Sequence, residues 1–244
     1  MLDLRLFAAV LVIACAISPA YVRAAEADDS KSEIVTRYLD ARRTQQEALK
    51  GVQMEANIDA KLPRLEKQGK MRVLRKISRL GKISFRMLGF QGDDTIKQEV
   101  IARYLNLESE SAGKQGDISI TPDNYKFHLK TTMADGGHRT YIFQVTPKRK
   151  AVGLFKGELW LDGETGMPLR ESGQLVKNPS IFLKKVAFVH DYQLNKDGVA
   201  IPKHIESTVD TRIAGRAELE IEFSNFTKAE DDETPPDDAG GPGQ

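Results

Sequence analysis

The sequence predicts a mainly β (α+β) fold in which a curved antiparallel sheet forms an unclosed β-barrel covered by a helical lid. After residue 51, most stretches alternate apolar and polar residues, which is typical of strands with one buried face. Turn residues such as Gly, Asp and Asn separate these stretches at short intervals, so neighbouring strands are expected to pair antiparallel. Helical spacing of apolar residues occurs in two stretches, near residues 31–50 and 95–107.

The first helix is predicted over about 31–50. Ser30 and Glu33 have the spacing of a capping box, in which each side chain can bond the backbone of the other residue. Apolar residues then follow at helical intervals, among them Ile34 and Tyr38, until a glycine at position 51 ends the run.

A second helix is predicted from Thr95 to about Leu107. Thr95 and a Gln three residues later repeat the capping-box spacing. Val100, Ile101 and Tyr104 lie on its apolar stripe, and the glycines that follow position 112 end the helical stretch.

The predicted sheet is large, and its apolar face must be closed off or covered to avoid aggregation. Helices that cross the opening of a half-closed barrel satisfy this demand, and they enclose an apolar cavity between themselves and the sheet. The strands are predicted at 52–60, at two places within 69–88, and at 117–121, 124–132, 139–147, 152–162, 167–176, 183–194, 200–213 and 216–226.

The N-terminal residues 1–24 are predicted to be a secretory signal peptide. Arg5 precedes an apolar run that ends at Ile17 and is too short to span a bilayer, and small residues follow it. We therefore expect one exported domain over 25–228, located in a periplasm. Cys15 leaves an alternative open: in a bacterial lipobox it would carry a lipid anchor, whereas as part of the signal peptide it is removed. A soluble, processed protein is the favoured interpretation.

The C-terminal residues 229–244 are predicted to be a disordered acidic tail. Their carboxylates repel one another, and their prolines and glycines leave no large apolar side chain to bury. The rest of the domain is expected to fold without them.

No motif in the sequence indicates catalysis. There is no GxSxG, no HExxH and no phosphate-binding glycine loop, and the single cysteine lies in the predicted signal peptide. The four histidines have no partner at metal-ligand spacing, although His190 and His204 fall on neighbouring predicted strands. We expect a non-enzymatic protein with no catalytic residue, no metal and no cofactor. The net charge of +1 also argues against nucleic-acid binding.

A basic segment extends from Lys61 to Arg86, with ten cations and one glutamate. Arg72, Arg75 and Arg79 are its candidate binding residues, for an anionic membrane surface or for an acidic envelope protein. The alternative is a hairpin whose outward face is simply solvated, and which the acidic tail neutralises in part.

Several short phrases resemble the outer-membrane lipoprotein-sorting superfamily, that is, the LolA/LolB-like proteins and the related RseB/MucB-type domains. The resemblance covers about residues 30–226 and begins with a helix that leads into the strand phrase GVQMEA at position 51. The later phrases are YIFQVTPK at 141–148, GELWLD at 157–162, GMPLR at 166–170, FVHDY at 188–192 and GVAIPK at 198–203.

The resemblance implies a LolA-like half-barrel that holds acyl chains of a lipid or lipoprotein in its apolar hollow. We therefore expect a periplasmic carrier, and the alternative is an envelope-stress sensor or partner-binding module of RseB/MucB type. The predicted cavity and lid residues are Ile34, Tyr38, Met54, Ile58, Val100, Ile101, Tyr104, Phe143, Val145, Leu159, Leu161, Leu219, Ile221 and Phe223.

Overall fold

The structure is a computed structural model that describes the backbone of residues 19–111 and 115–228 and the side chains of 31–110 and 117–228. The predicted acidic tail and most of the predicted signal peptide lie outside these residues. The helices are α1 (Pro19–Leu49), a π-helical turn (Ile96–Ile101) that continues as α2 (Ala102–Ser111), and α3 (Gln115–Ile118). The strands are β1 (Val52–Leu62), β2 (Lys67–Ile77), β3 (Ile83–Gly92), β4 (Tyr125–Asp135), β5 (His138–Pro147), β6 (Phe155–Asp162), β7 (Pro168–Leu175), β8 (Leu183–Leu194), β9 (Ala200–Thr211) and β10 (Arg216–Lys228).

The ten strands form one antiparallel sheet in the order β3-β2-β1-β10-β9-β8-β7-β6-β5-β4. The first and last strands of the chain therefore pair at the centre of the sheet, in a register that places Ile58 opposite Ile221. The two edge strands, β3 and β4, are consecutive in the chain and are not paired with each other in the described part of the protein. The segment that joins them contains the π-helical turn and α2, which pack on the β1–β2 side of the sheet. This confirms the predicted unclosed barrel with a helical lid.

Alternation along the strands decides which face of the sheet is apolar. In β1 the side chains from Met54 to Leu62 at every second position are buried, and the intervening ones are exposed or half-buried. The same alternation continues across the pairing partners in β2 and β10. The apolar face is the concave one, because both lid helices pack against it.

Three sequence predictions of local structure were wrong, and the first is the capping box at Thr95, whose backbone is already helical and whose side chain makes no capping bond. The strand expected at 117–121 is instead the end of α3 followed by a turn, in which the amides of Asn124 and Tyr125 donate to the carbonyl of Thr121 at 3.1 and 2.8 Å. Hydrogen bonds within the turn satisfy the backbone groups there, so this segment does not need to pair with a strand. The capping box at Ser30 does not begin α1, since the helix already extends from Pro19. The predicted processing site after Ala24 lies within this helix.

No helix of the described residues is long and apolar enough to cross a membrane.

The backbones of β6 and β7 approach each other closely at a pair of glycines. Gly157 and Gly173 face each other across these strands, and a Cβ on Gly157 would lie 1.8 Å from the carbonyl oxygen of Ser172. A Cβ on Gly173 would lie 2.6 Å from the carbonyl oxygen of Lys156. Only glycine allows the two backbones to approach this closely, and the pair gives the sheet part of its curvature.

We predict that Gly157→Ala lowers the free energy of unfolding by about 2–3 kcal/mol, because the added methyl group must push two strands apart. The matched control is Gly89→Ala in β3, where an added Cβ has nothing within 4 Å. That control is expected to change stability by no more than about 0.5 kcal/mol. Urea denaturation monitored by circular dichroism measures both values. Equal effects of the two substitutions would show that the close approach of β6 and β7 does not constrain the fold.

Candidate functional site on the concave face

The concave face carries two apolar clusters, each covered by one helix. The first cluster lies on β1, β2, β9 and β10 under the π-helical turn and α2. The second lies mainly on β4, β5 and β6 under α1. Every predicted cavity and lid residue lies on this face or on a helix that covers it. In the first cluster are Ile58, Val100, Ile101, Tyr104, Leu219, Ile221 and Phe223; in the second are Ile34, Tyr38, Phe143, Val145, Leu159 and Leu161.

Met54 occupies a separate position at the polar boundary of the first cluster. It is fully buried, and its sulfur accepts a hydrogen bond from Arg75 Nη1 at 3.7 Å. The predicted apolar residues are therefore brought together as expected, but in this structure the helices pack directly against them.

The lid helix α2 is joined to the sheet by a buried ion pair. Arg75 Nη2 lies 2.7 Å from Glu108 Oε1, and Arg75 Nε donates to the same oxygen at 2.8 Å. Nearby, burial and the charge of Glu108 raise the pKa of Tyr104 well above its usual value. The pair therefore fixes the last turns of α2 on β2 inside an otherwise apolar contact.

A second group of polar side chains lies between α1 and the sheet. Arg42 Nη1 is 3.7 Å from Glu171 Oε1, a carboxylate on the concave side of β7. Burial raises the pKa of Tyr38 and of Tyr192, the charge of Arg42 opposing this shift, so both hydroxyls stay protonated. Gln45 Nε2 donates to the carbonyl of Ala200 at 2.8 Å, which attaches the same helix to the start of β9.

Sequence reasoning did not identify these lid contacts. Arg42 lies four residues after Tyr38, so both side chains project from the same side of α1. A cation at this spacing on an apolar stripe could have been used to predict a polar contact between the helix and the sheet. Arg75 follows Met71 and Val73 at a period of two, which likewise predicts a concave position. For Glu171 the strand sequence offers no such signal, because its neighbours on β7, Arg170 and Ser172, are polar as well and no alternation singles out its face.

The predicted binding arginines do not share one surface. Arg72 is exposed on the convex face and lies 3.9 Å from Glu55, and Arg79 is exposed in the β2–β3 turn. Arg75 is buried on the concave face, where it holds Glu108. Beside Arg72, Lys70 pairs with Asp59 at 3.0 Å. Carboxylates of β1 thus neutralise part of the positive charge on the convex face of β2.

The two histidines on neighbouring strands lie on opposite faces. His190 is on the concave side, with its ring 4.8 Å from that of Phe188. His204 is on the convex side, where Nδ1 lies 2.7 Å from Glu222 Oε1 and Nε2 lies 3.2 Å from Glu206 Oε1. The His190–His204 cluster that the sequence allowed is therefore absent from the described structure.

The sequence matches no family model and no curated protein sequence. Comparison with solved structures finds a LolA superfamily protein from Nitrosomonas europaea, with 13% identity and a TM-score of 0.42 over 81% of this chain and 94% of that one. It also finds a DUF1329 family protein from Desulfovibrio piger, with 16% identity and a TM-score of 0.42 over 82% and 94% of the two chains.

The MucA/MucB complex from Pseudomonas aeruginosa is found as well, with 10% identity and a TM-score of 0.24 over 79% of this chain and 99% of that one. The first of these structures is described as a LolA superfamily protein and the last contains MucB, which are names from the group that the sequence phrases resemble. The fold itself is established by the sheet order and the lid helices described above.

The opposite environments of the two histidines predict opposite effects of pH on stability. Burial lowers the pKa of His190 below 6.5, although the charges of Glu171, Glu108 and Asp191 oppose the shift. The unfolded chain therefore takes up this proton first, and stability is lost as the pH falls below about 6.5. For His204, burial acts in the same direction, but bonds and charges from Glu206 and Glu222 outweigh it and raise the pKa.

We predict that His190→Gln reduces the loss of stability between pH 7 and pH 5, by at most about 1.4 kcal/mol per pH unit, the limit for one proton. His204→Gln is expected to have the opposite sign. The His204 contribution is present below about 6.5 and fades as the pH rises through the raised pKa, so its removal makes the loss on acidification steeper. Urea titrations at several pH values measure both slopes. If His190→Gln left the slope unchanged, His190 would not be buried in its neutral form.

Proposed function

We propose that this protein is a non-enzymatic carrier of the cell envelope that holds acyl chains of a lipid or lipoprotein between the concave face and the lid helices. The observation that carries the proposal is the concave face itself. It extends across both apolar clusters of an unclosed barrel, and helices rather than further strands cover it. A helix can leave such a surface without breaking a single sheet hydrogen bond, and an acyl chain gains about 0.8 kcal/mol for each methylene that takes its place.

The lid over the first cluster is built so that it can open. It begins with a π-helical turn at Ile96–Ile101, a geometry that is less regular than an α-helix and is frequent at functional sites. Its attachment depends on apolar contacts, on the ion pair Arg75–Glu108 near its end and on Lys67 of β2 at its start, where Lys67 Nζ lies 3.3 Å from Asp93 Oδ1 and donates to Thr95 Oγ1 at 2.7 Å. An occupant of the hollow would displace α2, and Val100, Ile101 and Tyr104 would then line the bound chain together with Ile58, Leu219, Ile221 and Phe223 on the sheet.

The second lid region would contribute the other predicted residues. Ile34 and Tyr38 on α1 face Phe143, Val145, Leu159 and Leu161. Because α1 also makes polar contacts just after this region, from Arg42 to Glu171 and from Gln45 to the carbonyl of Ala200, we propose that it stays in place while α2 moves. The signal peptide over 1–24 and a periplasmic location belong to this proposal, since a carrier of acyl chains works between membranes.

The test is lipid binding by the purified protein. Native mass spectrometry and lipid extraction are expected to find bound acyl lipid, and a fluorescent fatty acid is expected to bind and to be displaced by unlabelled lipid. A protein that is recovered empty and does not bind the fluorescent fatty acid would contradict the proposal.

We predict that Glu108→Gln increases the apparent affinity for the fluorescent fatty acid about three- to tenfold. The substitution weakens the closed state, so a larger fraction of molecules is open and competent to bind. The control is Glu99→Gln in the π-helical turn, which removes an exposed ion pair with Arg103 and is expected to leave binding unchanged. An affinity that falls in Glu108→Gln would mean that the closed lid is part of the binding site.

A partner-binding module is the second candidate, and the exposed cations Arg72 and Arg79 favour it. Two charge reversals, Arg72→Glu and Arg79→Glu, separate the two functions. They should leave fatty-acid binding intact, whereas a module that docks an acidic protein would lose its partner. Arg75 is excluded from this test, because its reversal would place two negative charges together under α2.

A further inference from the structure

One end of the sheet carries an exposed apolar patch formed by two neighbouring loops. The β7–β8 connection holds Ile181 and Phe182, and the β9–β10 connection holds Ile213; these side chains are 81%, 57% and 75% exposed. The two loops are joined by Arg212, whose backbone amide donates to the carbonyl of Phe182 at 2.9 Å and whose Nε donates to the carbonyl of Ile181 at 2.8 Å. We call Ile181, Phe182 and Ile213 the apolar rim.

Local hydrogen bonds hold the apolar rim in its exposed position. The hydroxyl and the amide of Thr211 both donate to the carbonyl of Gly215 at 2.8 Å, which closes the β9–β10 turn behind Ile213. Asn178 Nδ2 donates to the carbonyls of Leu183 and Lys184 at 3.0 Å and closes the β7–β8 loop. The loops are thus built to present three apolar side chains to the surroundings, and exposed apolar patches of this kind mark interaction sites.

The charges around the apolar rim have one sign. Residues 176–185 and 211–217 contain five cations and no carboxylate. Two acids adjoin the second segment: Asp210, which is already paired with Arg216 at 2.8 Å, and Glu218, which follows Ala217 on β10. The cations are Lys177, Lys184, Lys185, Arg212 and Arg216, and all five are exposed.

The other end of the sheet lacks this combination in its described hairpin connections. The β8–β9 turn has Lys196 beside Asp197, the β6–β7 turn has an acidic Glu164, and the β4–β5 turn follows Asp135. Leu80 in the β2–β3 turn is exposed there to 93%, but without an apolar neighbour in sequence. Single exposed apolar residues are ordinary, whereas an apolar patch surrounded by cations is not.

We propose that the apolar rim is a contact site for an anionic phospholipid bilayer. Protruding apolar side chains insert at the boundary between headgroups and acyl chains, and lysines and arginines around them pair with lipid phosphates. The lysines argue for lipid rather than for a protein surface, because the buried core of a protein interface is depleted in lysine and the apolar rim lies among several. This inference goes beyond acyl-chain binding: it gives the half-barrel an orientation, with the β7–β8 and β9–β10 loops towards the membrane.

The lid begins at the same end of the sheet as the apolar rim. The amide of Asp93, which precedes the π-helical turn, donates to the carbonyl of Gln68 at 3.0 Å, and Gln68 lies next to the β1–β2 connection. A bilayer in contact with the apolar rim would therefore be close to the start of the lid helix.

The first experiment measures co-sedimentation of the full chain with vesicles of phosphatidylcholine that contain about one third phosphatidylglycerol. The triple substitution Ile181→Ser, Phe182→Ser and Ile213→Ser is expected to reduce binding about tenfold or more. The matched control is Leu80→Ser, an exposed apolar residue at the other end of the sheet, which should bind as the unmodified chain does. Equal binding of the triple variant and the control would overturn the proposal.

The cations are tested in the same assay. Lys184→Gln with Lys185→Gln is expected to reduce binding about fivefold for each charge at low salt, and the difference should fade as salt is raised. Lys196→Gln in the β8–β9 turn is the control. A loss that is the same on vesicles of pure phosphatidylcholine would overturn the electrostatic part of the proposal.

The second experiment locates the contact directly and does not depend on other membrane-binding segments of the chain. Trp160 is the one tryptophan, so Phe182→Trp in a Trp160→Phe background reports on the apolar rim alone. Its fluorescence is expected to shift to the blue on anionic vesicles and to be quenched by lipids that carry bromine on their acyl chains. Leu80→Trp in the same background should not respond. If the Phe182→Trp fluorescence were not quenched by the brominated lipids, the proposal would be overturned. That conclusion would hold even if the apolar rim were then found to bind a protein partner.

Discussion

The structure depends on how the apolar face of an incompletely closed sheet is kept from water. A ten-stranded sheet of this kind can close on itself or be covered, and here its edges β3 and β4 remain apart. Helices α1 and α2 cover the concave face on either side of the gap. Coverage by helices differs physically from closure by strands. Removing a helix exposes apolar side chains but leaves every ladder hydrogen bond intact, so the fold can survive the loss of its lid.

The ion pairs between the lid helices and the sheet fix the position of the helices more than they add stability. Burying Arg75 with Glu108, and Arg42 beside Glu171, adds little stability compared with apolar side chains of the same size, because each charge loses its hydration. Such pairs do fix the position of a helix, since an unpaired charge in the interior is far more costly than a misplaced methyl group. In the proposed function, the Arg75–Glu108 pair returns α2 to one position on the sheet after it has moved, and the Arg42–Glu171 pair helps to keep α1 in place.

The sequence predicted the sheet well because its faces are encoded by alternation. The alternation of apolar and polar residues correctly predicted that Ile58, Leu159 and Leu219 lie on the apolar face. The turn residues predicted most strand ends to within a few positions of where the structure has them. The failures occurred where local chemistry or tertiary contact decides the outcome. Residues 117–121 alternate like a strand, but the turn that follows satisfies their backbone locally. The lid contacts of Glu171 could not be predicted, because a carboxylate on a concave face depends on a cation 129 positions earlier in the chain, which no local pattern reveals.

For the proposed carrier function, the balance of energies between lid and ligand decides whether the half-barrel could load and release an acyl chain. In the first cluster the lid contributes the buried Ile96 and Ile101 and the partly buried Val100, Tyr104 and Leu105, and together they stabilise the closed form by roughly 5–10 kcal/mol. An acyl chain of about sixteen carbons gains on the order of 13 kcal/mol when it replaces them. Because burial of the lid and burial of the acyl chain contribute free energies of similar size, neither the closed nor the loaded form is so stable that the other cannot be populated. Exchange then depends on the small remaining terms, chief among them the Arg75–Glu108 pair.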